Sequence, residues 1–105
     1  MALQRPIIED ILEPIDVNND FFITFIYYGT VALSGYRLKF YKLGSETPVT
    51  VTGSIVNYRY RVKVNGGVLD NGETYRVVLE VSRDGVWSGE SESVIFYSLT
   101  TPTVE

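Results

Sequence analysis

A chain of 105 residues with 45% hydrophobic and 21% charged side chains reads as one globular domain over 1–105, and eight Tyr, five Phe and one Trp exclude a disordered segment. The net charge of −4 and nine Lys and Arg without a run argue against a nucleic-acid partner. Cys and His are absent, no glycosylation sequon occurs, no apolar stretch is long enough for membrane insertion, and Met1-Ala2-Leu3-Gln4-Arg5 lacks the apolar core of a signal peptide.

The opening Pro6-Ile7-Ile8-Glu9-Asp10-Ile11-Leu12-Glu13-Pro14 has two readings. Ile7, Ile8, Ile11 and Leu12 would share one helical face, but only about two turns fit between the prolines, so an edge strand is favoured. Asp16-Val17-Asn18-Asn19-Asp20 places oxygen-bearing side chains at alternate positions, as a calcium loop would. It lacks the downstream Gly and bidentate Glu of an EF-hand, and a plain turn is the better account.

Period-two alternation then dominates. Phe21, Ile23 and Phe25 form one apolar row, and Tyr36, Leu38 and Phe40 another, with Arg37 and Lys39 outward. A short edge strand is expected near Val49 to Val51, since Pro48 is tolerated at a strand start. Tyr58 to Val64 alternates again, and its Arg59, Arg61 and Lys63 read as a solvated face rather than an anion site. Tyr75, Val77, Leu79 and Val81 make the next inner row, with Val78 on the opposite face, and Val94 and Phe96 belong to a last strand. Asn65-Gly66-Gly67, Asp70-Asn71-Gly72 and Asp84-Gly85 suit tight turns, the first read as a hairpin. Strands of this length between such turns indicate an all-β sandwich or barrel.

Leu69-Asp70-Asn71-Gly72-Glu73-Thr74-Tyr75 resembles the tyrosine corner of the fibronectin type III domain, in which a Leu ends one strand and a Tyr six residues later opens the next. Asp84 to Ser93 is similar to the Gly- and Ser-rich turn into that family's final strand. Two departures stand out: Asn71 occupies the usual Pro position, and Phe25 stands where the family keeps a core Trp. The resemblance implies a seven-stranded antiparallel immunoglobulin-like β-sandwich. It also implies that the Tyr75 hydroxyl donates to the backbone near Leu69; Leu79 is expected to be central from its place in the inner row.

Catalytic chemistry has no visible residues. Without His or Cys the usual general base, thiol nucleophile and most transition-metal ligands are missing, and no spacing marks a carboxylate pair. Gly66-Gly67 does not precede a helix, which argues against a phosphate cradle. No enzyme activity, metal or cofactor is therefore expected. Trp87 is the most informative single residue. In cytokine receptors a Trp-Ser repeat near this position packs among basic side chains, and Trp87-Ser88 is the one Trp-Ser here, with Arg76 or Arg59 as the expected partner. Outward Tyr28, Tyr41 and Tyr97 could extend a sticky face.

The expected function is a structural or interaction module. It would be a spacer or decorating domain whose partners are neighbouring domains or proteins of a larger extracellular or virion assembly, such as a phage tail, fibre or capsid. The virion setting rests on analogy. Arg5-Pro6-Ile7-Ile8-Glu9 and Thr101-Pro102-Thr103-Val104-Glu105 read as inter-domain joints or as ordinary termini. The alternative is a carbohydrate-binding or adhesion module that meets surface glycans through Trp87, Tyr41 and Tyr97.

Overall fold

A computed structural model describes residues 3–55 and 60–99. Tyr58, Arg59 and the Pro102 segment, singled out above, lie outside the described residues. Alternation of β-branched and aromatic side chains with polar ones produces strands throughout: β1 (Ile7–Ile8), β2 (Phe21–Ile26), β3 (Gly35–Lys42), β4 (Val49–Ser54), β5 (Arg61–Val64), β6 (Thr74–Arg83), β7 (Val86–Trp87) and β8 (Val94–Tyr97). β1, β2 and β5 form one antiparallel sheet. The other runs β4-β3-β6, with β7 and β8 both paired to the remaining edge of β6. β7 and β8 thus share one edge, and the described residues form an antiparallel sandwich of eight strands, close to the seven expected.

The inner rows of the two sheets meet face to face. Ile23, Leu38, Phe40, Val64, Tyr75, Val77, Leu79, Val81 and Phe96 are essentially water-free, and Phe40 meets Phe96 edge-on at 6.0 Å. Phe25 is buried and has the Tyr60 ring 5.3 Å away, with Tyr27 next to Tyr60 at 6.2 Å. The three rings form one aromatic cluster at this end of the core.

The corner forms with its polarity reversed from expectation. The Asp70 N–H donates to the Tyr75 hydroxyl at 2.9 Å, so the tyrosine is the acceptor, beside a buried Leu69. Asn71 explains its own departure from proline. Its side-chain oxygen accepts the Val17 N–H at 3.0 Å while its amide donates to Asp16 at 2.8 Å, tying the corner to the loop before β2.

Other expectations need correction. Asn65-Gly66-Gly67 is not a hairpin, because β5 and β6 belong to different sheets; it begins the crossing between them. Gly66 is packed against the Asn18 backbone, where a Cβ would collide with the Asn18 carbonyl. Asp84-Gly85 does close a hairpin. Arg83 pairs with Val86 across a two-residue loop in which both φ values are positive, the requirement of a type I′ turn. Val78 does face outward, opposite Leu79, but is not less buried as expected: only 3% of it is exposed. Lys39 sits directly opposite Val78 and reaches over to Glu80 and Glu90, so an ion-pair net roofs the valine. The amino-terminal edge strand is also shorter than expected. Only Ile7 and Ile8 pair with β2, and Ile15 then crosses to the other sheet, bridging in parallel to Ser98.

Candidate functional site

Cross-strand partners share a face, and the β6 register therefore assembles an outer surface from distant residues. Gly35, Arg37, Lys39 and Tyr41 on β3 lie opposite Ser82, Glu80, Val78 and Arg76 on β6. On the other edge Trp87 faces Ser82, Ile95 faces Arg76, and Tyr97 faces Thr74. Trp87, Tyr41 and Tyr97 thus occupy one face of the larger sheet. Tyr28, also exposed, follows β2 on the opposite sheet.

One end of this face is a ladder of alternating rings and charges. The Arg37 guanidinium carbon stands 4.3 Å from the Trp87 ring centroid. Arg37, rather than Arg76, stands over the tryptophan, and Arg59, the other expected partner, lies outside the described residues. Register decides this, since Arg37 is opposite Glu80 and only one pair from Ser82, the partner of Trp87. Arg37 also grips Glu80 through two bonds of 3.0 Å. Lys39 completes the row, 3.2 Å from Glu80 and 3.1 Å from Glu90. The Arg37 hydrogen bonds hold the Glu80 carboxyl below the ordinary carboxylate range, against its desolvation. Lys39 is shifted upward by Glu90 first and Glu80 second, and Arg37 upward chiefly by Glu80.

Beneath Trp87 two buried serines repair a broken ladder. Between β7 and β8 the chain bulges, and the Ser88 hydroxyl accepts the Val81 N–H at 3.1 Å while the Ser91 hydroxyl accepts the Leu79 N–H at 3.0 Å. Their protons go to the Gly89 and Glu92 carbonyls. The core strand β6 stays satisfied although its neighbour departs, and Glu90 swings out to meet Lys39. Sequence reasoning missed this; serines spaced three apart beside a glycine were the available signal.

The opposite end of the face is apolar. Tyr41, Leu43, Ile95 and Tyr97 are grouped around Thr74 and Arg76, with the Arg76 guanidinium carbon 4.3 Å from the Tyr41 ring centroid. Tyr97 is 61% exposed and Leu43 81%. A small hollow of about 110 Å³ lies among Tyr41, Leu43, Thr74, Arg76 and Ile95. Leu43, in the turn after β3, and Ile95, within β8, were not anticipated, because only the strand pairing sets them beside the tyrosines.

The candidate calcium loop has its carboxylates already engaged. Asp16 accepts from Asn71, Asn18 and Asn19, and Asp20 accepts from the Gly66 N–H and lies 3.2 Å from Lys63. These hydrogen bonds lower both pKa values, led by Asn71 for Asp16 and by Gly66 for Asp20. The loop's geometry is that of a turn tied down by its neighbours.

No protein-family model matches the chain. No curated protein matches it in sequence. Solved structures do match in shape. One described as a myokine structure superposes with a TM-score of 0.71 at 12% identity, covering 92% of this chain and 98% of that one. The FN1–FN3 domains of chicken CNTN1 give 0.68 at 9% identity over 94% of this chain, which spans 32% of theirs. Titin kinase with its flanking domains gives 0.62 at 15% identity over 92% of this chain and 17% of that structure. The likeness at these identities is one of fold: the chain is an all-β sandwich of the fibronectin type III and immunoglobulin-like kind.

Proposed function

We propose that the chain is a non-enzymatic interaction module, a spacer or decorating unit of a larger assembly, which docks a protein neighbour through the outer face of its larger sheet. The observation that carries this reading is the cluster of solvent-facing Leu43, Ile95 and Tyr97 beside the half-buried Tyr41, grouped around Arg76. Contiguous exposed apolar groups of this kind mark docking surfaces on soluble domains, and Tyr and Arg are the residue types that anchor them. Neighbours of the same fold, drawn from multidomain chains such as the CNTN1 and titin structures, fit a modular role. An extracellular or virion setting belongs to the proposal; its virion form rests on analogy and draws nothing from these neighbours.

Photo-crosslinking in the source organism tests the proposal. A benzoylphenylalanine replacing Tyr97 or Tyr41 should give a protein adduct that the same group at Tyr28 does not give. Equal adducts at all three positions would remove the face from consideration. Specific binding of a soluble glycan that perturbs Trp87 and Tyr97 would replace the reading with carbohydrate recognition.

A further inference from the structure

β4 and β5 end different sheets, and where they come near one another a cleft of about 220 Å³ opens. Its lining includes Phe22, Tyr36, Ser54, Ile55, Arg61 and Lys63. Tyr36 starts on β3 and crosses β4 at Gly53, where a Cβ would collide with the tyrosine ring and hydroxyl. The glycine thus lets the tip of Tyr36 reach the gap between the two strands. There its hydroxyl meets the Lys63 carbonyl at 3.5 Å, beyond the roughly 2.5–3.0 Å of an O–H···O hydrogen bond. Only 8% of Tyr36 is exposed, so a phenol more than nine-tenths buried stands at the cleft with its proton uncommitted. Burial pushes its pKa up, which keeps the hydroxyl a donor at neutral pH.

The Arg61 guanidinium carbon lies 4.4 Å from the Phe22 ring centroid. The ring covers one face of the guanidinium and leaves the N–H groups at its edge free to bind. Among the described residues no carboxylate pairs with Arg61. Lys63 is 3.2 Å from Asp20, so its charge is already balanced. Every polar side chain in the lining can donate a hydrogen bond, and no acid is among them.

We propose that this cleft binds a carboxylate carried on an aliphatic body. The N–H fork of Arg61 takes the two oxygens, the Tyr36 hydroxyl donates to one of them, and Ile55 and Phe22 offer the body an apolar wall. Charge and shape select the class. With Asp20 balancing Lys63, one positive charge is left, on Arg61, and a monoanion matches it; a phosphate monoester would bring a second charge without a partner. The flat carboxylate fits the flat guanidinium fork, whereas a sulfate ester is tetrahedral. The cleft shares no lining residue with the hollow beside Tyr41, so the site stands independently of the proposed docking face.

An amide NMR titration of the unmodified chain with isocaproate tests this. The Ser54, Arg61 and Lys63 amides should shift and saturate in the millimolar range, as suits so small a ligand. Acetate, which lacks the body, should bind more weakly, and so should inorganic sulfate and phosphate. Isocaproamide has the same shape without the charge and should bind about tenfold more weakly or worse. Acetyl-leucine stands in for a peptide C-terminus; it should bind as well, and the tighter of it and isocaproate tells a peptide end from a free organic acid. Arg61→Gln should weaken isocaproate about tenfold or more, and Tyr36→Phe about three- to tenfold. Arg61 is exposed, so the thermal midpoint of Arg61→Gln should hardly move, which separates lost binding from lost fold. Shifts that do not saturate would overturn the proposal. So would equal binding of isocaproamide, tighter binding of sulfate or phosphate, or an unchanged affinity in Arg61→Gln.

Discussion

The guanidinium of Arg37 serves two partners from one register position: its central carbon stands 4.3 Å from the Trp87 centroid while its nitrogens reach Glu80 at 3.0 Å. The ring therefore depends on the ion pair for its orientation. Arg37→Ala should uncover the single Trp and raise acrylamide quenching of its fluorescence, and in the unmodified chain quenching should be well below that of a free indole. It should also cost about 1–2 kcal/mol, because the nearly buried Glu80 keeps only Lys39. Unchanged quenching would mean that Trp87 is held by something other than Arg37.

Glu80 links this ladder to pH. Its folded pKa lies below the ordinary carboxylate range, chiefly through the Arg37 hydrogen bonds. Its contribution is therefore fully present above the unfolded value and is lost as pH falls through the folded one. Asp16 and Asp20 act with the same sign. The denaturant midpoint should drop between roughly pH 5 and pH 3, and Glu80→Gln, less stable at neutral pH, should show a shallower drop. Parallel pH curves for the two proteins would exclude Glu80 as a contributor.

Leu79 and Val78 are adjacent on β6, face opposite ways, and are 0% and 3% exposed. Leu79→Ala should cost roughly 2–5 kcal/mol through lost transfer energy and a cavity. Val78→Ala removes two methyl groups beneath the Lys39–Glu80 net and should cost about 1–2 kcal/mol, more than a solvent-facing valine would. Chemical denaturation of the two variants checks the ordering; a neutral Val78→Ala would show that the net does not seal that face.

The rows Phe21-Ile23-Phe25, Tyr36-Leu38-Phe40 and Tyr75-Val77-Leu79-Val81 were legible because burial on one face imposes a local period of two. Sheet membership was not. Asn-Gly and Asp-Gly favour positive φ in a hairpin and in a crossing alike, so Gly67, Gly72 and Gly85 all adopt positive φ while only the last closes a hairpin. The Trp87 partner and the burial of Val78 both depend on the β3–β6 register, which joins residues about 40 apart and leaves no trace in local pattern. Of the candidate face, the aromatic members could be named in advance; their grouping with Leu43 and Ile95 needed the strand pairing.

At the corner, Tyr75 is 1% exposed and its hydroxyl accepts the Asp70 N–H. Tyr75→Phe preserves the ring stacked 5.7 Å from Phe96 and deletes only the acceptor. The cost should be on the order of 1–2 kcal/mol, with faster exchange of the Asp70 amide. A midpoint equal to that of the unmodified chain would mean that water replaces the hydroxyl there.

Asn71 tests whether the corner in this chain relies on a side-chain clasp in place of the proline found in the resembling family. Its oxygen accepts the N–H of Val17, a residue with 0% exposure, and its amide holds Asp16. Proline at this position would rigidify the turn, and where the native φ is compatible such a change stabilises by about 0.4–1 kcal/mol. It would also strand the Val17 N–H in an apolar setting, which costs about 1–3 kcal/mol. The second effect is larger, so Asn71→Pro should be destabilising on balance, and Asn71→Ala should be destabilising as well. Asn71→Asp keeps the acceptor for Val17 but sets a second carboxylate against Asp16, so it should recover part of the loss at low pH and little at neutral pH. Thermal midpoints of the three variants at pH 7, and of Asn71→Asp at pH 4, decide the matter. A stabilised Asn71→Pro would show that turn rigidity outweighs the clasp.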